Sequence, residues 1–143
     1  EQVEIKGSEV IKNWKKQNNR IWSVSIPNEF FGDYNPYKVL ISGDWFKPKG
    51  RNHHTGEVYL NGVALYEEDS MESLLERKLS WYCEVDKNET HLWANFGESD
   101  PNKETIEINV RQSCFYPDEP GRNFITVSGF TMRHAASQWA PPT

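Results

Sequence analysis

Apolar and polar positions alternate near the end of the chain, where Ile125, Val127, Phe130 and Met132 are interleaved with Thr126, Ser128 and Thr131, with one break at Gly129. A period of two marks a strand with one buried face. The chain opens in the same way: Val3-Glu4-Ile5-Lys6, a break at Gly7, then Ser8-Glu9-Val10-Ile11. A third copy, lacking the glycine, is Ile106-Glu107-Ile108-Asn109-Val110-Arg111, and Ile106 to Ile125 is a step of 19 positions. That step is close to one solenoid coil, and parallel β-helices stack such coils into ladders of aliphatic residues. Ordinary sandwich strands carry the same alternation, so the residues leave both architectures open. The chain ends at Trp139-Ala140-Pro141-Pro142-Thr143 with no closing element, which leads to the expectation that it is a piece of a larger protein.

The middle of the chain has another texture. Ile21-Trp22-Ser23-Val24-Ser25-Ile26 alternates cleanly up to Pro27, and Val39-Leu40-Ile41 predicts a short strand. Between them lies a turn-rich stretch punctuated by Gly32-Asp33 and Asn35-Pro36. Asn61-Gly62, set between the apolar runs of residues 57–66, predicts a hairpin with a type I′ turn, since both residues tolerate positive φ. Residues 69–77 predict the one helix, with Asp69 as cap and Glu72 reaching back as a capping box. Residues 81–85 and 90–95 predict a second hairpin around Asp86-Lys87-Asn88-Glu89. Short strands at this spacing predict an all-β sandwich with one short helix.

Composition narrows the partners. The 143 residues are about one domain, 36% hydrophobic, with net charge −5 and mean hydropathy −0.79. A mildly acidic chain without basic runs is a poor partner for nucleic acid or for an anionic membrane surface. No apolar run approaches the ~20 residues of a membrane helix. No cofactor motif is present, and localisation is left unknown. Aromatics reach 13%, which fits an aromatic core or a sugar-stacking surface; Trp14, Trp22, Trp81 and Trp93 are assigned to the core. Cys83 and Cys114, both in apolar company and without any C-x-x-C, read as buried free thiols. Asn88-Glu89-Thr90 matches a glycosylation sequon, a triplet that also occurs often by chance.

Several short segments recur in order over nearly the whole chain: Ile5-Lys6-Gly7-Ser8-Glu9, Pro27-Asn28-Glu29-Phe30-Phe31-Gly32, Asn35-Pro36-Tyr37-Lys38, Gly43-Asp44-Trp45 and Glu57-Val58-Tyr59-Leu60-Asn61-Gly62. Trp93-Ala94-Asn95-Phe96, Asp100-Pro101-Asn102, Val110-Arg111-Gln112-Ser113-Cys114-Phe115 and residues 125–143 continue the series. On these segments the chain resembles the N-terminal half of right-handed parallel β-helix glycosidases of the family 120 β-xylosidase type. The compact region 69–79 departs from the resemblance, since those xylosidases carry a longer insertion there. The resemblance implies an immunoglobulin-like β-sandwich inserted among β-helix coils, with coil strands at 1–14, the sandwich at 15–104 and a return to the coils at 105–143. It also implies a retaining mechanism whose nucleophile and acid/base carboxylates lie downstream. The 21 acidic residues here, such as Glu67, Glu68, Asp86 and Asp118, read as surface charges, and no catalytic residue is nominated.

Candidate substrate-binding residues are Trp45, His53, His54, His134 and Trp139. Trp45 follows Gly43-Asp44 in a turn where an indole can stack on a pyranose, and the resemblance places the matching Trp in the sugar site. His53 and His54 lie in the next loop and can hydrogen-bond hydroxyls; adjacent side chains diverge on an extended backbone, so no shared metal is expected. His134 and Trp139 belong to the loop leaving the last strand. Three functions remain open: a non-catalytic, substrate-site-shaping portion of a β-xylosidase-like glycoside hydrolase, an autonomous carbohydrate-binding sandwich, or an assembly module. The expected partners are a carbohydrate such as a xylo-oligosaccharide, the remainder of the β-helix, and a second copy in a homo-oligomer.

Overall fold

The computed structural model describes residues 3–18 and 20–137. The chain opens with β1 (Val3–Lys6) and β2 (Ser8–Val10), broken at Gly7 as the alternation predicts. β3 (Lys15–Lys16) and β4 (Ile21–Pro27) follow, then a 3-10 turn over Asn28–Phe31. The strand expected at 39–41 is reduced to one bridge between Leu40 and His54. Leu40 is exposed and its neighbours are only half-buried, so this apolar run has no core to line and pairs locally, with Ile41 N donating to His53 O (2.8 Å) and Thr55 N to Val39 O (2.9 Å).

β5 (Val58–Leu60) and β6 (Val63–Ala64) form the expected hairpin, with Asn61 and Gly62 at φ 52° and 80°. β7 (Tyr66–Glu67) leads to α1 (Met71–Glu76). The helix is capped by Ser70, not Asp69: Ser70 Oγ accepts from Ser73 N at 3.2 Å, and Asp69 accepts from Ser73 Oγ at 3.3 Å. The helix starts one residue later than expected, so the third position after the cap is Ser73 and no capping box with Glu72 forms. β8 (Ser80–Val85) and β9 (Glu89–Asn95) make the second expected hairpin, its turn held by Asp86 Oδ1, which accepts from Asn88 N (2.7 Å) and Glu89 N (2.8 Å). β10 (Ile106–Asn109) and β11 (Phe130–Arg133) complete the strands among the described residues.

Two sheets pack as a sandwich. One has the order β2-β10-β5-β6 and the other β3-β4-β9-β8-β7. Between them lie Ile11, Trp14, Ile26, Tyr37, Val58, Leu65, Trp81, Leu92, Phe96, Ile106 and Ile108, all buried. Edge-to-face rings run through this core: Phe31 to Tyr37 at 5.7 Å, Tyr37 to Trp81 at 5.6 Å, and Trp14 to Phe96 at 5.1 Å. Each fully buried large side chain contributes roughly 2 kcal/mol of transfer free energy, and Tyr37 keeps its hydroxyl satisfied by donating to Glu57 O at 2.7 Å. Trp22 packs against the core as expected. Trp93 does not: its register partner Tyr82 and the alternation of β9 put it on the outer face of the five-stranded sheet. Cys83 is buried, but Cys114 is only half-buried, with Sγ 3.2 Å from Arg133 O.

β1 and β11 pair in parallel, Val3 with Phe130 through Lys6 with Arg133. The chain therefore leaves for the sandwich and returns from it side by side and in the same direction. β10, expected to share a coil step with Ile125, instead sits inside the sandwich, antiparallel to β2 and β5. Residues 125–128 form no strand, and Ile125 and Val127 are exposed. A strand buried between two partners shows the same apolar alternation as a coil strand, which is why the residues alone left both architectures open.

Candidate functional site

β7 pairs only with Ser80 and Trp81, so from Tyr82 onward β8 lacks a strand partner on that side. A cleft of about 640 Å³ opens there, lined by Tyr82 and Cys83, by Glu67 at the end of β7 with Glu68 and Asp69 after it, and by Arg51, Asn52 and His54 of the long loop. Glu67 organises one wall. Its carboxylate, 12% exposed, lies 2.6 Å from His54 Nδ1 and 3.8 Å from His53 Nδ1. It also accepts from His54 N, 3.2 Å to each oxygen. Glu68 anchors the other wall, 2.5 Å from Arg77 and 4.0 Å from Arg51. Both guanidinium groups lie over the Tyr66 ring, at 4.1 Å and 5.1 Å. Glu67 and Glu68 are therefore not the surface charges that the sequence suggested. Asp86 and Asp118 are, with side chains 58% and 85% exposed.

The electrostatics describe a binding cleft more than a reactive one. Burial pushes the Cys83 thiol up to about 12, reinforced by the negative charges of Glu67 and Glu84, so it stays a thiol, an inert sulfur 3.8 Å from His54 Nδ1. Desolvation raises Glu57, just before β5, to about 7. The Trp81 indole N–H, which meets no acceptor at hydrogen-bonding geometry, partly offsets this, and the Glu67 charge adds to it. Glu67 and Glu68 are adjacent in the chain and engaged by different partners, His53 and His54 on one side and two arginines on the other, an arrangement unlike two carboxylates flanking one glycosidic bond at ~5–5.5 Å. Among the described residues no cluster of three His, Cys, Asp or Glu side chains could hold a metal ion. What the cleft offers is a set of hydrogen-bond donors and acceptors beside an aromatic wall, the equipment for polyhydroxylated ligands.

Three of the expected site residues meet at the loop bounding this cleft. His54 lines it, and His53 faces the same carboxylate. Trp45, 45% exposed in a turn closed by Phe46 N donating to Gly43 O, packs edge-on against Phe46 (5.7 Å), which packs against His53 (5.4 Å). His134 is elsewhere. Its ring stacks on Tyr59 at 3.7 Å, on the outer face of the four-stranded sheet, and its side chain is 7% exposed. Ser8 Oγ is 3.0 Å from Glu107 Oε1 and 3.0 Å from His134 Nδ1, so the single hydroxyl proton goes to the carboxylate and the serine accepts from the imidazole. Lys6 closes the group, 3.0 Å from Glu107. Burial lowers His134 from its ordinary range, with Glu107 opposing and Lys6 adding. This constellation pins the returning chain and carries no nucleophile. Tyr34 links the two regions, its hydroxyl 2.6 Å from Ala136 O and 2.9 Å from Thr55 Oγ1. Trp139 lies outside the described residues.

Comparison with protein families matches the glycoside hydrolase 120 insertion domain over residues 11–80 and 75–108. The chain belongs to the glycoside hydrolase 120 insertion domain family. The family match runs from the end of β2 to β10, which is the sandwich. Among solved structures the chain is similar to one described as the complex structure of XylC with xylose, with 43% identity, a TM-score of 0.91 and all of this chain covered. It spans 26% of that chain. Comparison with curated proteins returns no match. Arg51, Glu67 and Tyr82 were not foreseen as cleft residues, and Trp93, expected in the core, lies on the outer face of the sheet. The sequence held one usable hint, two histidines in a polar loop that need an acidic partner.

Proposed function

We propose that the chain is a non-catalytic, substrate-site-shaping portion of a retaining β-xylosidase-like glycoside hydrolase. The observation that carries the reading is the similarity over the whole chain to the XylC structure with xylose. The parallel β1–β11 rung supports the further reading that residues 1–14 and 105–143 belong to a right-handed β-helix, with the immunoglobulin-like sandwich of residues 15–104 inserted between them. β2 and β10 then lie at the seam, since they pair with each other and with β5. In this reading the catalytic carboxylate pair stands on later coils, about 5–5.5 Å apart, and this segment contributes binding groups to the xylose-type ligand. Trp45 stacks on the sugar from its exposed turn, and His53 and His54, steadied by Glu67, hydrogen-bond to hydroxyls. His134 and Trp139 act from the returning chain, His134 by positioning it against Tyr59. The remainder of the β-helix is the obligatory partner, and a homo-oligomer is compatible with it.

The test compares full-length protein with residues 1–143 on an aryl β-xyloside. Full-length protein hydrolyses it and the segment does not. Trp45→Ala in the full-length protein lowers kcat/KM at least about tenfold, mainly through KM, which corresponds to about 1.4 kcal/mol of lost sugar contact. Hydrolysis by the segment alone, or an unchanged KM in Trp45→Ala, overturns the assignment.

A further inference from the structure

The outer face of the five-stranded sheet carries a second set of groups that the xyloside site does not use. Along β9, Thr90, Leu92 and Ala94 point into the core, which turns His91 and Trp93 outward. Register places Ser23, Trp93 and Tyr82 in one cross-strand row and Ser25, His91 and Glu84 in the next. The Trp93 ring lies 5.9 Å from Tyr82 at an interplanar angle of 29°, and 5.9 Å from His91 at 37°. Polar partners hold these rings: Ser25 Oγ is 2.8 Å from His91 Nδ1, Asp86 Oδ2 is 3.1 Å from His91 Nε2, and Tyr82 Oη donates to Glu84 at 2.9 Å. Tyr82 also forms a wall of the cleft with Arg51, Asn52 and His54.

From this geometry we propose that Tyr82, Trp93 and His91 form a carbohydrate platform that continues the cleft along the sheet and binds an extended β-1,4-linked xylose chain. An aromatic cross-strand pair alone would serve only to stabilise a hairpin. The third ring, fixed from both nitrogens, and the polar cleft abutting Tyr82 add what a ligand needs. Tyr82 stacks on Trp93 and His91 tilts against it, so the three rings form one pre-ordered apolar ridge whose uncovered faces and edges meet the axial C–H bonds of pyranoses at little entropic cost. Ser23, Ser25, Glu84 and Asp86 around them meet hydroxyls. Such a polar surround suits a polyhydroxylated chain better than the apolar core of a protein interface. The choice of a xylose polymer rests on the proposed xyloside activity; the platform itself rests on the outer face.

The experiment measures binding of a thio-linked xylohexaose, which glycosidases do not cleave, to full-length protein by calorimetry, with xylose and cellohexaose as controls. The expected result is tighter binding of the hexaose than of xylose, weakened about tenfold by Trp93→Ala and less by Tyr82→Phe, which keeps the ring. Should Trp93→Ala lose its circular dichroism signature, the same comparison is read on His91→Ala, with about threefold weakening expected. Equal affinities for hexaose and xylose, or unaltered hexaose binding in folded Trp93→Ala or His91→Ala, overturn the platform. A change of subunit stoichiometry in Trp93→Ala with hexaose binding intact also overturns it, and assigns the face to a protein contact. Tighter binding of cellohexaose overturns the xylose assignment. Wild-type protein that binds the xylohexaose but fails to cleave the aryl β-xyloside sinks the enzymatic reading and leaves the platform standing.

Discussion

Glu57 is a carboxyl group placed where its charge is unwelcome: between sheet residues, near Trp81, with the Glu67 charge adding to the cost of ionising it. Its folded value of about 7 lies above the ordinary 4.5. Below 4.5 both folded and unfolded chains hold the proton, and stability is at its full value. Between 4.5 and 7 the unfolded chain ionises first, so stability falls as pH rises, by on the order of 3 kcal/mol for this group. Glu57→Gln removes that fall. Urea denaturation at pH 4.5 and pH 8 should show the variant losing less stability across the window than the wild type, and equal losses would refute the assignment. The same scale decides the cleft. Glu67 is held by His54, and Glu68 by Arg77 and Arg51. Both acids looked like solvated charges in sequence because partners such as His54 and Arg51 lie in a loop that only folding brings near.

At the level of elements, two glycines separate close approach from turn strain. A Cβ on Gly7 would lie 2.6 Å from His134 O and 2.8 Å from Ala135 Cα, both backbone atoms that cannot swing aside. Gly62, at φ 80° in the β5–β6 turn, has open space around it and pays only the conformational penalty of a left-handed residue. Gly62→Ala should cost about 1 kcal/mol. Gly7→Ala should cost about 2–3 kcal/mol by forcing the crossing chain apart. Thermal denaturation of the two variants checks the order, and a smaller loss for Gly7→Ala would show that the crossing gives way. Both glycines were visible as breaks in the alternation; that one of them is a crossing was not. The hairpins at Asn61-Gly62 and Asp86-Glu89 were legible because turn chemistry is local. The strand at 39–41 was not, because what it lacked was a core to face.

Across the whole molecule, order and exposure are unevenly distributed. β8 and β9 stand in the middle of the five-stranded sheet over the buried core, whereas Tyr116, Phe124, Ile125, Val127 and Phe130 expose apolar surface. Hydrogen exchange should be slowest in β9, paired on both sides, and fastest over 115–128 in the isolated segment. In full-length protein, new protection over 124–130 should appear where later coils cover these side chains. Equal exchange of 124–130 in the two forms would count against the β-helix reading.

Periodicity and turn residues determined, from sequence alone, an all-β chain with two hairpins, one short helix and a strand near each end, whose pairing only the structure shows. The reason is that the period of side-chain burial and the φ demands of Asn-Gly or Gly are written in neighbouring residues. Sheet membership was decided only in three dimensions: β10 reads the same as a coil strand or as a sandwich strand, and long-range pairing with β2 and β5 chose between them. So was the sidedness of Trp93, since the adjacent aromatics Trp81 and Tyr82 leave the parity of the hairpin undecided until a second sheet buries one of them. The cleft belongs wholly to the tertiary structure. It exists because β7 stops short, leaving part of the β8 edge open to the loop that carries His54 and Arg51.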